Sequence, residues 1–578
     1  MIVEPAALPS EISVRRSDPV YMAHGYLTKV PVDAIIPFIE AFTEPGEVVL
    51  DPFAGSGMTG VAAMMAGRRA VLSDISRLGQ HIGLNYVNLV DQGSLREVTA
   101  TVLEEAALRV RELYTTPCSR CGRAAELVKA TWSQDYACNE CGKVFTYYQA
   151  LEANQWHSRL SCSACGSSLQ RRNLTRTGES MVLEAVRCGC AHSQIEQPPS
   201  GVIPPRFPEL EHWPDVAIDA DREMYRRSAL AKHDLTSTAR FFSRRNLTAL
   251  VALRDAIHRV GDPSLRGKLL FAFTAILPRA SKRYQWSRQR PLNAQNQTYY
   301  VSSVFYEWNV FDLFERKVGA AIASDNTVRG GGPLFVPQTD VDYKLASADN
   351  LSHVQSETID YVFTDPPFGS NIFYSDMNLF QEAWLDGLTD RASEAVIVTS
   401  ADGGESAHRY EALLTGALIE CRRVLKPGGW LSMVFSNSRG QVWGIAQRAL
   451  KRSGLEILPD RLSSIDKGQR SVKGLASGWE DTVTTDLVFT ARKPSTAQAE
   501  LPLVDPARES IAASLAAVLS ASDDGRTLLT PSRVYLAVIR RYIQRHWDLE
   551  PLHYEEVVSA LRSLGYSIDS ATGWLISR

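Results

Sequence analysis

A carboxylate, two prolines and an aromatic ring follow a strand-like run in residues 361–376, YVFTDPPFGSNIFYSD. The apolar residues 361–363 predict a buried strand, and the proline pair predicts a rigid turn that presents Asp365 and Phe368. An aromatic face beside a carboxylate and backbone carbonyls suits a flat ring that carries an amine. A stiff strand exit without chemistry explains these residues equally well, so the rest of the chain has to decide.

A glycine-rich stretch, DPFAGSGMTG, occupies residues 51–60 after a short apolar run. Its glycines let the backbone turn sharply and approach a ligand, and the helix predicted over 59–66 points its N-terminus at the same place. The next predicted strand, residues 70–72, leads to Asp74, at a distance from the glycine loop that is typical of an acid bound to ribose hydroxyls. This order predicts a site for a nucleoside-containing cofactor.

Eight of the nine cysteines lie in four close pairs between residues 118 and 190. In a chain without a secretory leader, such pairs favour metal ligands over disulfides. The first two pairs are separated by 16 residues and predict one structural zinc site; the last two predict a second, in which His192 could replace one thiolate. Neither pattern has the open position of a catalytic zinc. The predicted ligands are Cys118, Cys121, Cys138, Cys141, Cys162, Cys165, Cys188 and Cys190.

Positive charge is concentrated between residues 222 and 290, where 16 Lys+Arg stand against 4 Asp+Glu, although the whole chain carries a net charge of −3. In residues 278–291 cations alternate with aromatic rings, and amide side chains follow at 293–300. Cations pair with phosphates, rings stack on bases and amides read base edges, so this pattern favours nucleic acid over an ordinary solvated surface. The predicted contacts are Arg279, Lys282, Arg283, Tyr284, Trp286, Arg288 and Arg290.

Length and composition indicate a folded protein of several domains. The 578 residues are 44% hydrophobic, and no apolar run reaches the ~18 residues of a membrane span. We expect a soluble, cytoplasmic protein without membrane contact.

Together, DPFAGSGMT and TDPPFGSN resemble the motifs of the S-adenosylmethionine-dependent DNA amino-methyltransferases, and the cysteines resemble those of the adenine-specific DNA methylases with zinc ribbons. The family's (D/N/S)PP(Y/F/W) motif implies catalytic roles for Asp365, Pro366, Pro367 and Phe368. Its FxGxG motif lines the methionine end of the cofactor, two acids hold the ribose and the adenine, and an N-terminal motif closes over the methionine part. The implied cofactor residues are Tyr26, Lys29, Asp51, Pro52, Phe53, Ala54, Gly55, Ser56, Gly57, Thr59, Asp74 and Asp349.

The resemblance implies an α/β fold, with a Rossmann-like class I methyltransferase core that is split by a long insertion and followed by a small C-terminal helical domain. We expect the N-terminal half of the core at residues 1–95, a linking helix and zinc-ribbon lobes at 96–200, a basic and mostly helical insertion at 201–340, the C-terminal half of the core at 341–492, a linker at 493–506 and a helical accessory domain at 507–578.

The resemblance also implies a reaction, which is methyl transfer from S-adenosylmethionine to the exocyclic amine of a base flipped out of double-stranded DNA. The Asp of DPPF favours adenine N6 over cytosine N4, because the family's cytosine enzymes more often carry Ser there. Two other readings stay open, an RNA methyltransferase acting on guanine N2 and a zinc-stabilised nucleic-acid-binding module without activity. No nuclease motif is evident, so a role in restriction or defence would need a nuclease subunit as partner.

Overall fold

The computed structural model describes residues 8–14, 17–157, 159–201, 212–228, 230–288, 299–330, 340–369, 372–398, 403–466, 483, 485–495, 511–521, 530–569 and 575–577. Of the predicted functional residues, Arg290 lies outside these ranges, as do the amide side chains at 293–298.

Strands form mainly where the sequence is rich in β-branched and aromatic residues. They are β1 Glu11–Ser13, β2 Val48–Asp51, β3 Arg69–Asp74, β4 Thr115–Pro117, β5 Ala124–Ala137, β6 Val144–Thr146, β7 Leu160–Ser161, β8 Ser168–Leu169, β9 Thr175–Arg187, β10 Ile195–Gln197, β11 Val304–Trp308, β12 Val341–Leu345, β13 Ile359–Thr364, β14 Leu425–Phe435, β15 Glu456–Ile457, β16 Ser463–Asp466, β17 Thr485–Arg492, β18 Tyr566–Ile568 and β19 Leu575–Ser577.

Helices begin in several places at a side chain that caps the first turn, as Asp91 and Asp262 do. They are α1 Pro19–Ala23, α2 Val32–Phe42, α3 Met58–Met65, α4 Arg77–Val87, α5 Gln92–Val110, α6 Tyr147–Ala153, α7 Glu223–Arg227, α8 Arg244–His258, α9 Pro263–Ala280, α10 Val310–Val328, α11 Tyr374–Glu382, α12 Gly403–Val424, α13 Gly440–Arg452, α14 Ile511–Ala521, α15 Pro531–Gln544 and α16 Tyr554–Ser563. Short 3-10 helices lie at Arg111–Tyr114, Arg171–Asn173, Leu230–His233, Ala239–Phe241, Arg391–Ser393 and Pro459–Arg461. None of these described helices is both long and apolar enough to cross a lipid bilayer.

The chain forms two compact units. Unit 1 comprises Met1–Leu89, Ala323–Asn378 and Gly387–Arg578, and unit 2 comprises Val90–Ile322 and Leu379–Asp386. The predicted insertion therefore matches unit 2 approximately, with its second boundary earlier in the chain than the expected residue 340.

Unit 1 is built on a mixed sheet whose described strands follow the order β1-β16-β17-β14-β13-β2-β3-β12, with β15 beside β17. The central strands β14, β13, β2, β3 and β12 are parallel, and β17 is antiparallel to β14. Apolar runs such as VVL in β2 and YVF in β13 suit strands that are covered on both faces. The carboxyl ends of β2, β3 and β13 consequently lie at one edge of the sheet.

The C-terminal helices do not form a domain of their own. Buried residues of α14, α15 and α16 belong to the same hydrophobic cluster as residues of β14, α13 and β17. Polar contacts tie the two parts together, since Gln447 donates to the Trp547 carbonyl at 2.8 Å and Arg448 pairs with Glu550 at 2.7 Å. The sequence at 507–578 thus completes the core of unit 1, which differs from the predicted accessory domain.

Unit 2 contains an antiparallel sheet in the order β10-β9-β5-β11, with β4 and β6 also paired to β5. The strands β5 and β9 pair along nearly their whole length, from Glu126 opposite Arg187 to Ala137 opposite Thr175. Because they are antiparallel, the start of each long strand lies beside the end of the other. Helices α5, α8 and α9 pack together in the same unit.

Candidate functional site

An open cavity lies at the carboxyl edge of the unit 1 sheet, with about 1000 Å³ of space that includes open solvent. The turns after β2, β3, β12 and β13 supply its walls, which is where ligands bind in open α/β sheets. Most of the predicted cofactor and catalytic residues lie in this one wall, namely Tyr26, Lys29, Asp51, Pro52, Phe53, Ala54, Gly55, Ser56, Thr59, Asp74, Asp349, Asp365 and Pro367.

The glycine loop is held in place by close packing and by a carboxylate. The backbone of Gly55 has φ +48°, and a Cβ there would lie 3.1 Å from the ring of Tyr26. Asp74 accepts a hydrogen bond from the Gly55 N–H at 2.8 Å and a second from the Ser76 N–H at 2.8 Å. The Asp74 carboxylate, predicted to hold ribose, therefore also orders the loop.

Gly57, by contrast, does not line the cavity. Its φ is +77°, and a Cβ would come within 2.7 Å of the Gly83 Cα. Gly79 is equally close to the loop, since a Cβ there would lie 2.5 Å from the Gly55 carbonyl oxygen. Small residues on α4 thus let this helix approach the loop, a requirement that the sequence analysis missed.

Asp51 is a buried carboxyl group at the end of β2. It accepts hydrogen bonds from Thr59 Oγ1 at 2.6 Å, from Thr364 Oγ1 at 2.9 Å and from the Phe53 N–H at 3.1 Å. Burial raises its pKa to about 7, and the hydrogen bonds oppose that rise. The group links the glycine loop to the strand that leads to Asp365.

Lys29 has a positioning role that the resemblance did not imply. It lines the cavity, but its ammonium group donates to the carbonyls of Tyr21 at 2.6 Å and His24 at 2.7 Å, and to the Tyr86 hydroxyl at 3.2 Å. The side chain is buried. These bonds fold the N-terminal segment over the cavity, with Tyr26 facing Gly55.

The DPPF turn presents Asp365 at the cavity, and two of its four carbonyls accept hydrogen bonds from elsewhere in unit 1. Tyr410 donates to the Pro367 carbonyl at 2.5 Å, and Asn437 donates to the Phe368 carbonyl at 2.7 Å. The carbonyls of Pro367 and Phe368 are therefore hydrogen-bonded within the protein. Among the described residues none donates to the Pro366 carbonyl, although Pro366 is buried and, unlike Asp365 and Pro367, is not part of the cavity wall.

Phe368 is half-buried and is not part of the cavity wall. Its ring packs edge-on against Phe435, with the centroids 5.3 Å apart, and contacts the core of unit 1. The structure thus does not bring the predicted stacking ring and the cofactor residues into one wall. The Phe368 ring instead packs into the apolar core of unit 1 at the end of β13.

Several polar residues that the sequence analysis did not single out line the cavity, among them Tyr374, Ser375, Asn378, Thr389 and Glu394. Tyr374 stacks on Tyr26 with centroids 6.2 Å apart, and its hydroxyl lies 2.6 Å from Thr28 Oγ1. Ser375 donates to Glu394, whose pKa is raised by burial. The spacing of Tyr374 and Asn378, four residues apart after the DPPF turn, was a usable signal for one helix face.

The eight predicted metal ligands form two tetrads, but their grouping differs from the prediction. One tetrad contains Cys118, Cys121, Cys188 and Cys190, the other Cys138, Cys141, Cys162 and Cys165, and His192 belongs to neither. The antiparallel pairing of β5 and β9 explains this grouping, because it brings the first cysteine pair beside the last and the second beside the third. About 13 residues of strand at ~3.4 Å each separate the two tetrads by roughly 44 Å.

The tetrads fit tetrahedral zinc. Sulfur atoms are 3.6 Å apart in the first tetrad, between Cys118 and Cys190, and 3.8 Å apart in the second, between Cys138 and Cys165. A tetrahedral site with Zn–S bonds of about 2.3 Å requires sulfur separations of roughly 3.8 Å, far longer than a disulfide of about 2.05 Å. Each tetrad is therefore able to hold one metal ion.

The basic segment is only partly available to a ligand. Arg283 is buried between the rings of Tyr299 and Phe380, at 5.1 and 5.4 Å, and burial lowers its pKa to about 10. The prediction that Arg283 binds phosphate is therefore wrong. The prediction that Tyr284 stacks on a base is also wrong, because Tyr284 is buried.

The other described members of this segment lie nearer to the surface. Lys282 pairs with Glu179, and Arg279 lies over the ring of Tyr284 at 4.9 Å. Arg288 is exposed and Trp286 half-buried, so these two fit a ligand contact best.

Comparisons with known proteins indicate a DNA methylase. Residues 12–82 match the N6_N4_Mtase family model, described as DNA methylase, and this segment contains Tyr26, the glycine loop and Asp74. The putative methylase YubD of Escherichia coli (strain K12) is 51% identical over 57 residues, which are 9% of this chain and 25% of YubD. The chain thus covers a quarter of that relative. Both matches confirm the predicted resemblance to DNA amino-methyltransferases.

Among solved structures, the crystal structure of the [4+2]-cyclase SpnF is similar over 30% of this chain and 62% of its own, at 17% identity. The TM-score is 0.16, which is too low to indicate a shared fold.

Proposed function

We propose that this protein is a DNA methyltransferase that transfers a methyl group from S-adenosylmethionine to the N6 amine of adenine. The observation that carries this proposal is the convergence of the glycine loop, Asp349 and Asp365 on one cavity. The match to the DNA methylase family supports the reaction class. The strand order β12-β3-β2-β13-β14-β17-β16, with β17 antiparallel, supports a Rossmann-like class I core.

The cavity suits S-adenosylmethionine. Gly55 leaves the backbone open beneath Tyr26, where any Cβ would intrude. Asp349 is exposed at the mouth of the cavity, in a position to accept from the adenine of the cofactor.

Bound S-adenosylmethionine supplies a methyl group on an electrophilic sulfonium. The chain must then activate the amine of the base, whose lone pair is delocalised into the ring. The Asp365 carboxylate and the Pro366 carbonyl accept the two amine hydrogens, which returns electron density to the nitrogen and aims its lone pair at the methyl carbon. The nitrogen gains the methyl group, the sulfonium becomes a neutral thioether, and the amine proton passes to Asp365 and then to solvent.

The base reaches Asp365 only after leaving the duplex, which costs a few kcal/mol of pairing and stacking. The Tyr374 ring lies in the cavity wall, and contact of the base with this ring offsets part of the cost in this proposal. The carboxylate of DPPF favours adenine.

Each cysteine tetrad holds one structural zinc ion in this proposal. Zinc would fix the ends of the long β5–β9 ribbon, where the described structure has only a small hydrophobic cluster around the second tetrad.

The proposal is tested by incubating the protein with methyl-tritiated S-adenosylmethionine and unmethylated DNA or RNA. We expect label in DNA and a loss of about 100-fold in Asp365→Asn, with cofactor affinity by calorimetry within about twofold of wild type. Asp342→Asn, which changes an exposed carboxylate on β12, is the matched control and should retain full activity. Label in RNA alone, or full transfer in Asp365→Asn, would overturn the proposal.

A further inference from the structure

Aromatic side chains form a row on one face of the unit 2 sheet. Tyr306 and Trp308 are two residues apart on β11, so they share a face, with ring centroids 6.0 Å apart. Gln285 forms an isolated antiparallel β-bridge with Phe305 of β11, which places its neighbours Tyr284 and Trp286 beside that strand. Tyr148 and Trp156, on and just after α6, pack against Trp286. We call these six residues the aromatic face, in which Tyr284 and Tyr306 are buried and Tyr148, Trp156, Trp286 and Trp308 are partly exposed.

One end of the aromatic face carries three cations. The Lys129 ammonium lies 4.8 Å from the Tyr306 centroid, and the guanidinium groups of Arg279 and Arg316 lie 5.8 and 5.3 Å from that of Trp308. Lys129 stands opposite Trp308 in the strand register. A ring beneath a cation fixes its position while its N–H groups at the rim remain able to bind phosphate.

The charge at this end favours an anion. Lys317 is close to Arg279, and its pKa is lowered to about 8, mainly by burial and also by the positive charge of Arg279. Two carboxylates, Glu152 and Glu196, act on the ring of Tyr148 at the opposite end, and Glu196 also acts on the ring of Tyr306. The four cations Lys129, Arg279, Arg316 and Lys317 outnumber Glu196 and attract a negatively charged ligand to the Trp308 end.

The opposite end offers tryptophan rings. The ring centroid of Trp286 lies 5.4 Å from those of both Tyr148 and Trp156. The guanidinium carbon of the exposed Arg288 lies 5.0 Å from the Trp156 ring centroid. Trp156 has φ +66°, a left-handed backbone that is rare for a bulky residue. Such strain is typical of functional positions, and here it holds a half-buried indole at the surface beside Trp286.

We propose that the aromatic face binds a single-stranded stretch of nucleic acid, with phosphates on Lys129, Arg279 and Arg316 and bases on Trp156 and Trp286. Ring faces stack on bases only where the strand is unpaired, and cations beside them track the backbone. The inference rests on the proposed function in taking a nucleic acid as the occupant. An acidic peptide would use the cations without the two tryptophans.

The test is fluorescence anisotropy with a labelled 20-nucleotide strand and with its blunt duplex, over a range of salt concentrations. The double variant Lys129→Ala/Arg316→Ala should bind the single strand more weakly. The negative slope of log K against log salt should become less steep by about 1.4, because each lost phosphate contact removes about 0.7. Trp156→Ala should weaken single-strand binding about tenfold and duplex binding less than twofold. Trp156→Phe, which keeps a ring, should recover most of the loss.

Matched controls are Arg109→Ala, which removes a 53% exposed arginine, and Trp213→Ala, which removes a 46% exposed tryptophan outside the aromatic face. Both should bind as wild type does. An unchanged salt slope in the double variant, or displacement of the strand by polyglutamate as effectively as by unlabelled strand, would overturn the inference. A protein that binds single strands through this face but transfers no methyl group would support the inference and contradict the proposed function.

Discussion

The Asp51 carboxylate accepts a hydrogen bond from Thr364 Oγ1 at 2.9 Å, although the two residues are 313 positions apart. Asp51 ends β2 where the glycine loop begins, and Thr364 ends β13 directly before Asp365. The same carboxylate holds Thr59 at the start of α3. One buried group therefore links the glycine loop to the strand end that carries Asp365.

Asp51 should make the protein less stable as the pH rises from about 4 to about 7. Burial raises its pKa to about 7 in the folded protein, whereas an unfolded chain releases the proton near 3.9. The unfolded state therefore binds fewer protons in this window, and stability falls with increasing pH, by at most ~4 kcal/mol for a shift of this size. Asp51→Asn cannot ionise, so the melting temperature of the variant should rise relative to wild type between pH 4 and pH 8.

Differential scanning calorimetry across this range measures the effect, with Asp342→Asn as an exposed control that should show no such trend. A constant difference between Asp51→Asn and wild type would mean that Asp51 is ionised throughout.

Gly55 and Gly67 give a matched pair for the cofactor loop. Both have a left-handed backbone, φ +48° and +73°, but a Cβ at Gly55 would meet the Tyr26 ring at 3.1 Å whereas one at Gly67 meets nothing within 4 Å. Each alanine variant should lose roughly 1–2 kcal/mol of stability from backbone strain. Only Gly55→Ala should also raise the Kd for S-adenosylmethionine, by about tenfold or more. Calorimetric titration would contradict the assignment of the cavity if the two variants bound the cofactor equally well.

The local motif around the glycine loop could be predicted from the sequence because its signals are contiguous. The helix expected over 59–66 is α3, Met58–Met65, and the helix expected before the cysteines is α5, Gln92–Val110. Strand, glycines, helix and acid follow one another within about 25 residues, so no long-range contact has to be known. The placement of Asp349 and Asp365 at the same sheet edge followed from the alternation of strands and helices.

Features that depend on distant pairing could not be predicted in this way. The grouping of the cysteines follows from the antiparallel register of β5 and β9, which no spacing between adjacent motifs encodes. Arg283 looks exposed in a basic run, yet it is buried against Tyr299 and Phe380. The KPGG sequence at 426–429 lies inside β14 as an irregularity, because Ile359 pairs with Leu425 and Tyr361 with Trp430.

Double cysteine variants should separate the two possible groupings of the metal ligands. In the structure Cys118 and Cys188 share a tetrad, whereas Cys118 and Cys138 belong to different ones. Cys118→Ser/Cys188→Ser should therefore lose one of about two zinc ions per chain, and Cys118→Ser/Cys138→Ser should lose both. Elemental analysis by mass spectrometry gives the stoichiometry, with Cys421→Ala, a buried residue outside both tetrads, as the control. Loss of a single ion in Cys118→Ser/Cys138→Ser would support the sequential grouping instead.

The central claim concerns Asp365 and the amine of adenine, and nucleoside mass spectrometry of DNA treated with the protein and S-adenosylmethionine tests it most directly. We expect N6-methyladenine with the wild-type protein and with Asp342→Asn, and at least about 100-fold less with Asp365→Asn. A product on cytosine N4 or on RNA guanine, or undiminished N6-methyladenine from Asp365→Asn, would contradict the account.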